Sequence, residues 1–144
     1  MFECFIWLMV SDQRWPHWKP WSELGLSEEE MEKFEIEQDL LDESKFERLS
    51  DKLRRACDEG GLNFDLFNLH STYGGIAATA GYGRNHAWSA GTLETFLRAV
   101  STLAPATYGV VYALDSDRDD VAGEFDVWKL AHQKVTRTTD LLVP

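Results

Sequence analysis

A chain of 144 residues, 44% hydrophobic and 27% charged, is long enough to bury the core of one soluble domain. Its formal net charge of -11 argues against direct binding to nucleic acid or to an anionic membrane surface, because both need clustered Lys and Arg. The same balance suits a basic protein partner, or simply high solubility.

Residues 2–10 are apolar on both alternating faces, with Phe2, Cys4, Ile6 and Leu8 on one and Phe5, Trp7 and Met9 on the other. That pattern predicts a central strand whose sheet is at least partly covered on both sides. The run is too short to span a bilayer and Glu3 interrupts it. It also lacks the basic start and small-residue cleavage site of a secretory signal, so a cytoplasmic location is expected. Pro16 and Pro20 exclude a regular element between Ser11 and Trp21, which reads as a tryptophan-rich loop.

From Ser22 to Glu43 the composition turns acidic, and Ser27 with Glu30 has capping-box spacing for a short helix. Ser44 with Glu47 repeats that spacing ahead of Phe46, Leu49, Leu53, Ala56 and Cys57. These recur as one helical stripe that Gly60 and Gly61 end. Leu62 to His70 alternates like a half-exposed strand, and a turn at 71–75 leads into a small-residue strand over 76–80. Residues 81–86 read as a loop. A second helix carries Leu93, Phe96, Leu97, Val100 and Leu103 on one face, with Pro105 just past its end. Val110 to Leu114 and Phe125 to Leu130 read as paired strands, and a last short strand is placed between Lys134 and Leu142.

The fold class is therefore α+β, with an antiparallel sheet of about five strands and two main helices packed on one face, in the order β-α-β-β-α-β-β. Its first six elements match the split β-α-β unit, in which the first and third strands lie inside the sheet. Residues 1–144 form one domain, with a tryptophan-rich and acidic insertion at about 14–42.

No constellation of catalytic groups emerges. His17, His70, His86 and His132 are scattered, and Cys4 and Cys57 have neither metal-ligand spacing nor a nucleophile motif, reading as buried hydrophobes. The loops at Gly74-Gly75 and Gly81-Tyr82-Gly83 lack a phosphate-cradling pattern and read as turns needing positive φ. Asp115, Asp117 and Asp119 copy the first alternating ligands of a calcium loop. The sixth position, however, is Asp120 in place of glycine, and the twelfth is Asp126 in place of a bidentate Glu. A small calcium-responsive regulatory domain using residues 115–126 stands as the second reading.

Two features fit a protein interface. Trp15, Trp18 and Trp21 lie on a proline-stiffened loop, and tryptophan is enriched among binding hot spots. Residues 115–126 hold six acidic side chains against one basic, enough with the acidic 22–43 stretch to steer a basic partner.

Several pieces together resemble the immunity protein 7 family of bacterial polymorphic toxin systems. They are Met1-Phe2-Glu3 with Trp7 soon after, and Asn85-His86 before the second helix. Further on come Pro105 with Tyr108-Gly109, the Asp-rich turn, Glu124 to Trp128, and the Asp140 to Pro144 ending. The resemblance implies an α+β antidote in the cytoplasm that binds a toxin domain encoded beside it. Residues 14–42 look longer and richer in tryptophan than the usual member, so they inherit no role. On this reading Trp15, Trp18 and Trp21 supply the apolar contact, and Glu28, Glu29, Glu35, Asp115, Asp117, Asp119 and Asp120 steer and pair with basic groups. The partner expected is a basic toxin domain of nuclease or ADP-ribosyltransferase type. Neither nucleic acid, membrane, cofactor nor metal is expected, and no catalytic residue.

Overall fold

The computed structural model describes residues 2–12, 25, 27–30, 43–72, 75–85, 88–115 and 124–141, with the backbone alone for 81–85, 115, 124, 140 and 141. Strand β1 (Phe2–Val10) leads, after the insertion, to helix α1 (Glu43–Gly60) and a 3-10 turn at Phe64–Leu66. Strands β2 (Asn68–Thr72) and β3 (Gly75–Asn85), helix α2 (Ala90–Leu103), and strands β4 (Tyr108–Asp115), β5 (Glu124–Ala131) and β6 (Lys134–Leu141) follow. All six strands form one antiparallel sheet in the order β2-β3-β1-β4-β5-β6. The first and third strands are interior, as the split β-α-β pattern requires, and the sheet has six strands where about five were expected.

Period-two alternation decides where the core sits. Phe2, Cys4, Ile6, Leu8 and Val10 are buried and join one cluster with Ile76, Ala78 and Ala80 of β3, Val111 and Ala113 of β4, and Trp128 and Leu130 of β5. Both helices lay their apolar stripes on this same face. Leu49, Leu53, Ala56 and Cys57 come from α1, and Leu93, Phe96, Leu97 and Val100 from α2. The two stripes match those read from the sequence.

Caps and close approaches fix the joints. Ser89 caps α2: its side chain accepts from the Thr92 amide at 3.4 Å, and the Thr92 hydroxyl accepts from the Ser89 amide at 3.1 Å. Asp12, just past β1, holds Arg48 at 2.9 Å and Lys52 at 3.3 Å on α1. Thr107 is buried and meets the Ser11 backbone, tying the α2–β4 loop to the end of β1. At Gly109 a Cβ would collide with the Trp7 carbonyl oxygen and lie 2.8 Å from Leu8 Cα, so β4 can sit this close to β1 only with glycine there.

Four local expectations are corrected. Residues 62–67 do not form a strand: Asn63 Oδ1 accepts from the Asp65 amide at 3.0 Å and opens a 3-10 turn, after which β2 starts at Asn68. β3 runs through 81–85, where a loop was expected, because a register shift between Cys4 and Ile6 keeps Gly83, Arg84 and Asn85 paired with β1. α1 begins at Glu43, so Ser44 falls inside its first turn instead of capping it. Gly75 does not have positive φ; a Cβ there would meet the Val10 carbonyl oxygen at 2.5 Å, so close approach to β1 is the reason for glycine.

Cys4 and Cys57 are both free and buried. Desolvation pushes the Cys4 thiol from 9.0 up to about 11, and desolvation with the Asp58 charge pushes Cys57 up to about 12. Unfolded thiols ionise near 9.0, so this preference for the neutral form supports the fold fully below that pH and fades as pH rises through the folded values. With a chromogenic disulfide reagent at pH 8, both thiols should stay silent in the native protein and react at once in denaturant. Fast native labelling would contradict their burial.

Candidate partner interface

Alternation that sends one set of β1 side chains to the helices sends the other set to the opposite face of the sheet. No described helix lies there. Phe5 is 51% exposed, Trp7 40%, Tyr108 39% and Tyr112 45%. The sequence-based expectation that β1 is covered on both sides is therefore corrected: among the described residues, helices cover one side only.

Register assembles these rings into a continuous patch. β1 and β4 pair Phe5 with Tyr112, Trp7 with Val110, and Met9 with Tyr108. Trp7 and Tyr108 meet edge to face with centroids 5.9 Å apart, and Tyr112 tilts against Phe125 of β5 at 5.7 Å. Val127, paired with Tyr112, is 5% exposed although it lies outside the helix-side cluster, so this face has a small apolar floor of its own. The Thr72 hydroxyl fastens one end, 3.0 Å from Met9 Sδ and donating to the Gly75 carbonyl at 3.1 Å. At the other end Glu3, Phe5, Tyr112, Ala113, Leu114 and Phe125 line a cleft of about 310 Å³. An exposed cluster of one Trp, two Tyr and one Phe, with the half-buried Phe125 beside it, is rich in the ring types of binding hot spots, and large exposed apolar patches mark interaction sites.

The residues expected to bind a partner fall differently. Trp15, Trp18, Trp21, Glu35, Asp117, Asp119 and Asp120 lie outside the described residues, as do His17 and His86. Glu28 and Glu29 are exposed in a helical stretch at 28–30 whose start is capped by Ser27 Oγ, accepting from the Glu30 amide at 3.2 Å. Asp115 ends β4 opposite Phe2. His70 is exposed on β2, and His132 forms with Gln133 the β5–β6 turn, both at positive φ.

Asp126 is committed elsewhere. Its carboxylate accepts from Arg137 at 2.6 Å and from the Thr139 hydroxyl at 3.1 Å, on the helix side of the sheet. Arg137 in turn lies 4.7 Å over the buried Trp128 ring. The closing position of a 115–126 calcium loop is thus in mid-strand with its oxygens occupied, which weighs against that reading.

Phe5, Trp7, Tyr108 and Tyr112 were not among the residues singled out from the sequence as partner-binding. The signal was present in the two-sided apolarity of β1 and in Tyr108 and Tyr112 spaced four apart on β4. Two-sided apolarity is equally the mark of a strand buried in a core, and only the placement of both helices on one face separates the cases.

Among the described residues no helix is long and apolar enough to cross a membrane. No curated protein and no solved structure matches the chain. The family described as immunity protein 7 matches residues 31–144, most of the chain, and leaves β1 outside the matched range. The antiparallel α+β architecture and this match agree: the chain belongs to the immunity protein 7 family.

Proposed function

We propose that this protein is an immunity protein that binds a cognate toxin domain, in the cytoplasm of the cell that makes both, and occludes its active site without itself turning over a substrate. The observation that supports this reading is the aromatic face of β1, β4 and β5, a preformed apolar surface on paired strands of the sheet. Preformed rings lose little conformational freedom on binding, which favours affinity. On this reading Glu28, Glu29, Glu35, Asp115, Asp117, Asp119 and Asp120 supply the negative charge that steers the partner, and Trp15, Trp18 and Trp21 supply further apolar contact. A toxin with a basic cleft, such as a nuclease or an ADP-ribosyltransferase, is the complementary partner.

The test is co-expression with the toxin domain encoded beside it, read as rescue of growth, together with association rates across ionic strength. Growth should be restored, and the on-rate should fall about ten-fold or more between low and high salt, because steering is screened beyond a Debye length of ~8–10 Å at 0.1–0.15 M salt. Absence of rescue and of binding would sink the immunity reading. An on-rate flat in salt would remove its electrostatic half.

A further inference from the structure

The sheet ends in two unequal edges. β2 closes one with five residues, whereas β6 closes the other with eight, paired to β5 in unbroken register from Ala131–Lys134 to Glu124–Leu141. Their connection is a two-residue turn with His132 and Gln133 both at positive φ, which is the type I′ geometry. Such a turn closes on a hydrogen-bonded pair, here Ala131 and Lys134, and antiparallel pairs then alternate. Lys134, Thr136 and Thr138 therefore direct their amides and carbonyls to β5, while Val135, Arg137 and Thr139 point theirs away from it. Among the described residues no strand takes these outward groups up. The side chains that could screen them are drawn inward: Arg137 and Thr139 both donate to Asp126 of β5, at 2.6 and 3.1 Å. β6 also has neither the proline nor the bulge that commonly blunts an edge, and Val135, Thr136, Thr138 and Thr139 are β-branched strand formers.

Resting on the immunity reading, we infer that the outer edge of β6 is a docking strand for an extended segment of the toxin, which pairs along Val135, Arg137 and Thr139 and lengthens the six-stranded sheet by one. A row of donors and acceptors at strand spacing is complementary to another extended backbone, and main-chain hydrogen bonds then carry the affinity. Two observations make the toxin the occupant in preference to a second copy of this chain. Each copy has a net charge of -11, so two copies repel where a basic partner is attracted. The edge is also continuous with the aromatic face, because β5 lies beside β6 and contributes Phe125 and Val127 to that face. One partner can cover the rings with its surface and extend the sheet with a strand.

Amide hydrogen exchange of the full chain, resolved residue by residue, is the first test. In the free protein the amides of Val135, Arg137 and Thr139 should exchange about ten-fold or more faster than those of Thr136 and Thr138, and the toxin domain should slow the first three by a similar factor. Slow exchange of those three in the dilute free protein would show the edge already covered and overturn the inference. Protection that grows with the concentration of this chain alone would assign the edge to a second copy, which overturns it as well. The second test compares toxin affinity of Thr139→Pro and Thr139→Ala. Both lose the hydroxyl bond to Asp126, but only proline removes the outward amide and sets its ring against an incoming strand, at a position where an edge strand tolerates it. Thr139→Pro should bind about ten-fold or more weakly than Thr139→Ala, and equal binding would overturn the docking strand. If Thr139→Pro melts far below Thr139→Ala, the exchange measurement decides alone. A toxin that binds while the three amides stay fast sinks the docking strand and leaves the immunity reading standing. A toxin that does not bind at all sinks both.

Discussion

Trp7→Ala should weaken toxin binding by about 2 kcal/mol or more, roughly a thirty-fold rise in Kd, while leaving the folded structure nearly as stable. Trp7 sits in the middle of the exposed patch, between Tyr108 and the Phe5–Tyr112 pair, and central aromatic residues dominate hot spots. It does not belong to the cluster beneath the helices, so no cavity opens when it is cut back. The stability cost is confined to lost cross-strand contact with Val110 and Tyr108, on the order of 1 kcal/mol. Calorimetric titration with the toxin domain and a thermal melt of each protein form the decisive pair. A variant that melts normally and binds at full strength would show that the toxin docks elsewhere.

Phe96→Ala has the opposite profile and the largest expected effect on folding. Phe96 is fully buried on α2, rests against Phe67 at 5.8 Å between ring centroids, and faces the end of α1. A Cβ on Gly60 would stand 2.7 Å from Phe96 Cβ, so the two helices touch at this point with no room for even a methyl group. Cutting the ring away leaves a hole the neighbours cannot fill without moving α1, and such truncations cost about 3–5 kcal/mol. Chemical denaturation should show the midpoint falling at an unchanged slope, which identifies a loss of stability without a change in the surface exposed on unfolding. A loss below 1 kcal/mol would mean that the helix pair repacks freely.

The contrast between these residues explains what was legible in the sequence. Phe96 announced itself, since Leu93, Phe96, Leu97 and Val100 recur at helical spacing and have one explanation. The same holds for Leu49, Leu53, Ala56 and Cys57, and with both helices located the split β-α-β order placed β1 and β3 inside the sheet. Trp7 and Phe5 were ambiguous because apolarity states a preference for leaving water without naming what replaces it. β3 beyond Ala80 was hidden by glycines that read as punctuation and that pair with β1 through a register shift. The β5–β6 connection falls where the two expected strands left it, although His132 and Gln133 are not the Asn-Gly pair that positive φ usually selects, so the strands impose the turn. The expected contact residues at Trp15, Trp18 and Trp21 remain a proposal, drawn from composition.

The central position of β1 sets the tempo of folding. Leu8 can find its neighbours only when Ala78 and then Gly109 have been synthesised, and ribosomes add ~5–20 residues per second. For several seconds the newborn Phe2–Val10 strand is sticky on both sides with nowhere to dock, a prime client for chaperones. Docking of the first strand therefore waits on the far half of the chain, and the sheet closes around β1 only once β4 has emerged.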